Sequence, residues 1–122
     1  DLGFNVHVDK RIRFQGIDTP ESRTRDLTEK RYGLGAKYRL IEMLEENDNI
    51  FVVKSHGTGK YGRVLGELYH HPESELSINQ MLIDEGHAVA YFGGSKQEVK
   101  DALLEARKLS TEYVEKHIEA LD

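Results

Sequence analysis

Cysteine is absent from the 122 residues. Its absence excludes disulfides, thiolate metal sites and cysteine nucleophiles, although it fixes no compartment. No apolar run is long enough to cross a membrane as a helix. No basic segment followed by an apolar one opens the chain, so a signal peptide is not expected in it. Internal repeats and low-complexity tracts are lacking as well, and the length reads as a single domain over residues 1–122. A surplus of positive charge is also missing. The net charge is −5, which argues mildly against the basic footprint of a nucleic-acid binder.

What is present is a charged surface on a globular chain, with 38% hydrophobic and 32% charged residues. A chain of this size buries roughly two-thirds of its unfolded surface, enough for a core without staples. The charges are unevenly spread. Acids crowd residues 42–48, 73–75 and 98–122, and bases crowd 10–13, 23–31 and 54–63. One positive face on an acidic body is compatible with that pattern.

Along the chain, residues 2–8 alternate loosely and predict a strand, Asp9-Lys10 a turn, and residues 11–17 a returning strand. Strict alternation puts Ile12 and Phe14 on one face of that strand and Arg13, Gln15 and Ile17 on the other. Residues 18–28 read as a polar loop, with Pro20 biasing Thr19 to extended geometry. From Glu29 to Glu46 the spacing of Leu34, Tyr38, Ile41 and Leu44 predicts a helix. Gly33 and Gly35 weaken its first half by up to about 1 kcal/mol each, and Asn47-Asp48-Asn49 ends it. Strands are expected over 50–55 and 63–70, joined by the glycine-rich loop "HGTGKYG". Ser77 and Gln80 have capping-box spacing ahead of a short helix that ends at Gly86. A short strand over 88–92 is broken by Gly93-Gly94. Ser95 and Glu98 cap a last helix with Val99, Leu103, Ala106, Leu109 or Ser110, Val114, Ile118 and Leu121 on one stripe. Its outer face is acidic. Paired strands with inserted helices point away from a doubly wound parallel sheet and toward a small, partly closed barrel of the OB type, mainly β with three helices.

The stretch "RIRFQGIDTPE" at residues 11–21 places an arginine and two acids at the mouth of one strand. Carboxylate and carbonyl oxygens suit a hard cation such as calcium or magnesium. Asp18 is the candidate ligand, the Thr19 carbonyl can add an oxygen, and Glu21 can orient or deprotonate a water. Arg13 and Asp18 are five residues apart, so only a turn can bring them to one side. Arg63, after the glycine-rich loop, supplies a second guanidinium. A cation, a carboxylate and two arginines form a set suited to phosphodiester hydrolysis, in which charge builds on the phosphoryl oxygens. Read on composition alone, the same residues are an ordinary loop with solvated arginines.

The joint occurrence of "RIRFQGIDTPE", "GKYGRVLGELY" and "INQMLIDEGHAVAYF", in that order over residues 11–92, resembles the staphylococcal nuclease (thermonuclease) family. The resemblance implies an OB-fold barrel with helices, the last of them packed on the barrel, and calcium-dependent endonuclease cleavage of DNA and RNA. It implies Asp18 and Thr19 as metal-binding residues and Arg13, Glu21 and Arg63 as catalytic ones. Lys60 and Tyr61 are then expected on the nucleotide phosphate or sugar, and Tyr91 stacked on a base.

The family's first strand, with a further metal-binding aspartate, has no match here, because "DLGFNVHV" resembles the second strand. The chain is therefore expected to lack that strand and one ligand. The barrel would carry an open seam filled by homodimer pairing or strand exchange. Two functional readings follow: a weakened calcium-dependent nuclease acting on DNA or RNA, or an inactive nuclease-like module that binds nucleic acid or protein. His70-His71 invites a metal reading, but neighbours on a strand point to opposite faces, so the pair is expected at the surface or rim.

Overall fold

The expected strand over 11–17 is two strands. The computed structural model describes residues 12–58, 64–91 and 93–121; in it β1 (Ile12–Phe14) and β2 (Ile17–Asp18) flank a turn at Gln15 and Gly16. Gly16 has φ +74°, a left-handed conformation that suits a residue without Cβ. The turn breaks the alternation. Phe14 and Ile17, expected on opposite faces, both pack into the core. The side chain of the buried Asn79 holds the turn. It donates to Gln15 O at 3.1 Å and Gly66 O at 3.3 Å, and accepts from Leu68 N at 3.1 Å.

The remaining elements are α1 (Leu27–Glu45), β3 (Val52–Thr58), β4 (Val64–Tyr69), α2 (Ile78–Asp84), β5 (Val89–Ala90) and α3 (Lys96–His117). β1 runs parallel to β4, with Ile12 opposite Val64 and Arg13 opposite Leu65. β3 and β4 form an antiparallel hairpin with an irregularity between Ser55 and Thr58. β2 pairs antiparallel with β5, Asp18 opposite Val89. Among the described residues the strands thus make two separate sheets, ordered β1-β4-β3 and β2-β5. The expected barrel is not closed among them, because the Gln15-Gly16 turn sends β1 and β2 to different partners. The expected strand over 2–8, on which the open seam and the homodimer expectation rest, lies outside the described residues.

The helices follow their local signals closely at the ends and less closely on their faces. α1 starts two residues before the expected Glu29, because Asp26 is its cap and accepts from Glu29 N at 3.1 Å. Asp48 and Asn49 end it at φ +54° and +60°, as their tolerance of the left-handed region predicts. Its inward face differs from the expected stripe. Gly33, Gly35, Ala36 and Met43 are buried, while Tyr38 and Ile41 stay 42% and 44% exposed. The small residues let neighbouring chain approach the helix: a Cβ on Gly35 would lie 2.8 Å from Val114 Cγ2. On α2, Ser77 Oγ accepts from Gln80 N at 3.0 Å, but the Gln80 side chain turns to Asp84 instead of completing the box. Gly86 follows at φ +80° and sits directly on α3, where a Cβ would meet Ala106 O at 2.5 Å. Of the two residues left open for the α3 stripe, Ser110 is the buried one and Leu109 is 67% exposed.

Ile17, Met43, Leu68, Ile78, Leu82 and Ala88 form the core. α3 is tied to α1 by Arg31, which donates to Ile118 O at 3.0 and 2.7 Å, and by the Tyr32–Thr111 hydroxyl pair at 2.9 Å. A polar cluster joins the same helices to the end of α2. Arg39 donates to both Glu85 oxygens, at 2.7 and 3.2 Å, and Tyr113 donates to Glu42. His87 is 2% exposed, edge-on to Tyr113 at 5.0 Å, and neither ring nitrogen has a hydrogen-bond partner.

Candidate functional site

Asp18 ends β2, half-buried, and its Oδ1 accepts from Thr19 N at 2.9 Å. The bond fixes the carboxylate against its own backbone and leaves Oδ2 without a hydrogen bond among the described residues. The following loop is clamped onto α1. A Cβ on Gly33 would lie 2.7 Å from the Glu21 carbonyl and 2.8 Å from Pro20 O, so helix and loop backbones are in direct contact only because Gly33 has no side chain. Glu21 N donates to Glu29 Oε2 at 3.1 Å, and Glu29 itself lies in the first turn of α1. The exposed Glu21 carboxylate is therefore carried on a backbone held from two sides.

A groove of about 410 Å³ runs between this loop and α3. Asp18, Thr19, Glu21 and Tyr91 all line it. Tyr91 is placed by the same turn that positions Asp18, its N donating to Gly16 O at 2.8 Å. A second cavity, about 290 Å³, lies on the α1 side, and Asp18, Thr19 and Pro20 form the wall between the two.

Four of the eight residues singled out in the sequence thus share one groove. Of the other four, Arg13 lies on β1, where its backbone is opposite Leu65. Lys60, Tyr61 and Arg63 lie outside the described residues. A turn at Gln15 and Gly16 separates β1, which carries Arg13, from β2, which carries Asp18.

Sequence reasoning missed three cations. Lys96, Lys100 and Arg107 of α3 line the groove opposite the acids. Their spacing of four and then seven residues is one helical stripe, a signal obscured by the acids on the rest of α3. Asp26 and Glu29 also line the groove, but both serve the fold, as helix cap and loop anchor.

For a metal, the described residues offer the Asp18 and Glu21 carboxylates and the Thr19 carbonyl, all hard oxygen donors. No group of three or more His, Cys, Asp or Glu suited to an ion occurs among the described residues. A cation held here would therefore complete its shell with water or substrate oxygen. The His70 ring nitrogen Nε2 is instead engaged by Met43 O at 2.8 Å.

A search of curated proteins finds no match to this chain. A family model described as staphylococcal nuclease homologue matches residues 11–112.

Proposed function

This chain belongs to the staphylococcal nuclease family, and from that membership we propose that it is a calcium-dependent endonuclease that hydrolyses phosphodiester bonds of DNA or RNA. The observation that carries the proposal is the convergence of Asp18, Thr19, Glu21 and Tyr91 on one groove, within the span matched by the family. Asp18 and the Thr19 carbonyl would hold the calcium ion, which when bound supplies Lewis-acid polarisation of a phosphoryl oxygen. Glu21 takes a proton from the attacking water as the water oxygen bonds to phosphorus, and the bond from phosphorus to the ester oxygen breaks, the departing oxygen taking its proton from solvent.

Arg13 and Arg63 are assigned to the charge that builds on the phosphoryl oxygens. Lys60 and Tyr61 are assigned to the phosphate or sugar, and Tyr91 to stacking on a base. The two sheets are read as parts of an OB-type barrel.

Cleavage of labelled DNA and RNA oligonucleotides, with calcium and with chelator, tests the proposal. Cleavage is expected with calcium, and its loss with chelator and again in Arg63→Ala. Oligonucleotide binding with no cleavage at any calcium concentration would replace the enzyme by a nucleic-acid binding module.

A further inference from the structure

We propose that Lys96, Lys100 and Arg107 of α3 form a phosphate-binding wall that grips the nucleic-acid backbone beside the bond presented to Asp18 and Glu21. The inference rests on the nuclease-type reading above, since it takes the ligand to be a phosphodiester polymer.

The groove has two electrostatic sides. On the loop side, Asp26 and Glu29 are occupied as cap and anchor, so Asp18 and Glu21 remain for a cation. On the α3 side, none of the three basic residues forms an ion pair among the described residues. Lys108, on the same helix but outside the groove, pairs with Glu105 at 2.7 Å. The three also span about 16 Å along the helix at 1.5 Å per residue, a length that meets several phosphates of one strand.

Two features of this wall have no evident structural purpose. Lys96 occupies the first position of α3, where the positive end of the helix dipole disfavours a cation. The Nε of Arg107 is buried with no hydrogen-bond partner, a costly state for a donor. The Arg107 guanidinium lies 4.9 Å from the centre of the Tyr32 ring, which restrains it before any ligand arrives. Arg107 also lines the groove, so a phosphate held there would meet the charge of its guanidinium.

The test is fluorescence anisotropy of a labelled oligothymidylate in chelator, where no cleavage competes, over a range of salt concentrations. Arg107 packs on Tyr32 and its loss could disturb the fold, so the two exposed lysines carry the experiment. The double variant Lys96→Ala/Lys100→Ala is expected to weaken binding roughly tenfold and to reduce the salt slope by about 1.4, or about 0.7 for each phosphate contact on a single strand. Lys108→Ala removes a positive charge from α3 outside the groove and is expected to leave Kd and slope near those of the unaltered chain. An unchanged Kd and slope in the double variant overturns the wall, even if calcium-dependent cleavage persists. So does a failure of the unaltered chain to bind, or an equal loss in Lys108→Ala. Lysine-dependent binding without cleavage in calcium would instead sink the hydrolytic reading and leave the wall in place.

Discussion

Asp18 and Glu21 are both carboxylates of one short segment, yet the fold holds them differently. Asp18 is restrained by its own neighbour's amide, which suits the fixed oxygen that the proposed metal-binding role asks of it. Glu21 is restrained through its backbone alone, and its side chain is exposed and able to meet a water. This difference is what the proposed role of Glu21 as proton acceptor rests on. Glu21→Gln is expected to lower the single-turnover cleavage rate by about 10²–10⁴-fold, the usual worth of a general base, while oligonucleotide affinity in chelator stays unchanged. A variant that cleaves at the original rate would remove Glu21 from that role. Both acids were legible in the sequence, because a tetrapeptide after a strand is a local signal. The cations of α3 were not, because what a helical stripe faces depends on its neighbour.

Between elements, the contact of α1 with the site loop depends on Gly33. Read along the helix alone, that glycine is a weakness. Against the loop it is the position where any Cβ would strike Glu21 and Pro20 backbone, atoms that cannot rotate away. Gly33→Ala is expected to destabilise the protein by about 1–3 kcal/mol, as overpacking does, and to lower cleavage through displacement of Glu21. Thermal unfolding and activity of the folded variant check the two effects. Gly94→Ala is the contrast, since its Cβ would meet nothing closer than 3.5 Å, and its melting temperature should stay near that of the unaltered chain. The same contact logic explains the partly misjudged stripe of α1: Leu44 packs on the core as expected, but Tyr38 and Ile41 are left half-exposed while Gly33, Gly35, Ala36 and Met43 face inward.

For the molecule as a whole, the junction of α1, α3 and the end of α2 is expected to lose stability in acid, because it buries His87 without a hydrogen-bond partner. Burial pushes the His87 pKa below its ordinary value of 6.5; Glu85 and Glu42 oppose this, and Arg39 reinforces it. The unfolded chain therefore binds the His87 proton more readily than the folded one. The corresponding stability is fully present above about pH 6.5 and is lost as pH falls through the lowered folded value. Denaturant midpoints measured from about pH 7.5 down to about pH 5 should fall in the natural chain and fall less steeply in His87→Leu, which replaces a buried ring without hydrogen-bond partners by an apolar side chain. Coincident slopes would exclude His87 as a source of any fall in stability with acid.

The sequence by itself determined the features that live within a few residues: the caps at Ser77 and Ser95, the stop at Asp48-Asn49 and the left-handed glycine after α2. Each follows from backbone sterics or from a side chain reaching its own neighbours. Tertiary structure alone decided the division of residues 11–17 between two sheets, which depends on β4, β5 and the Asn79 side chain 64 residues from Gln15. It also decided that Ser110 and not Leu109 faces inward, that Gly33 is a docking point, and that three cations of an otherwise acidic helix border the groove. These outcomes depend on how closely distant segments approach, which no pattern along one segment encodes.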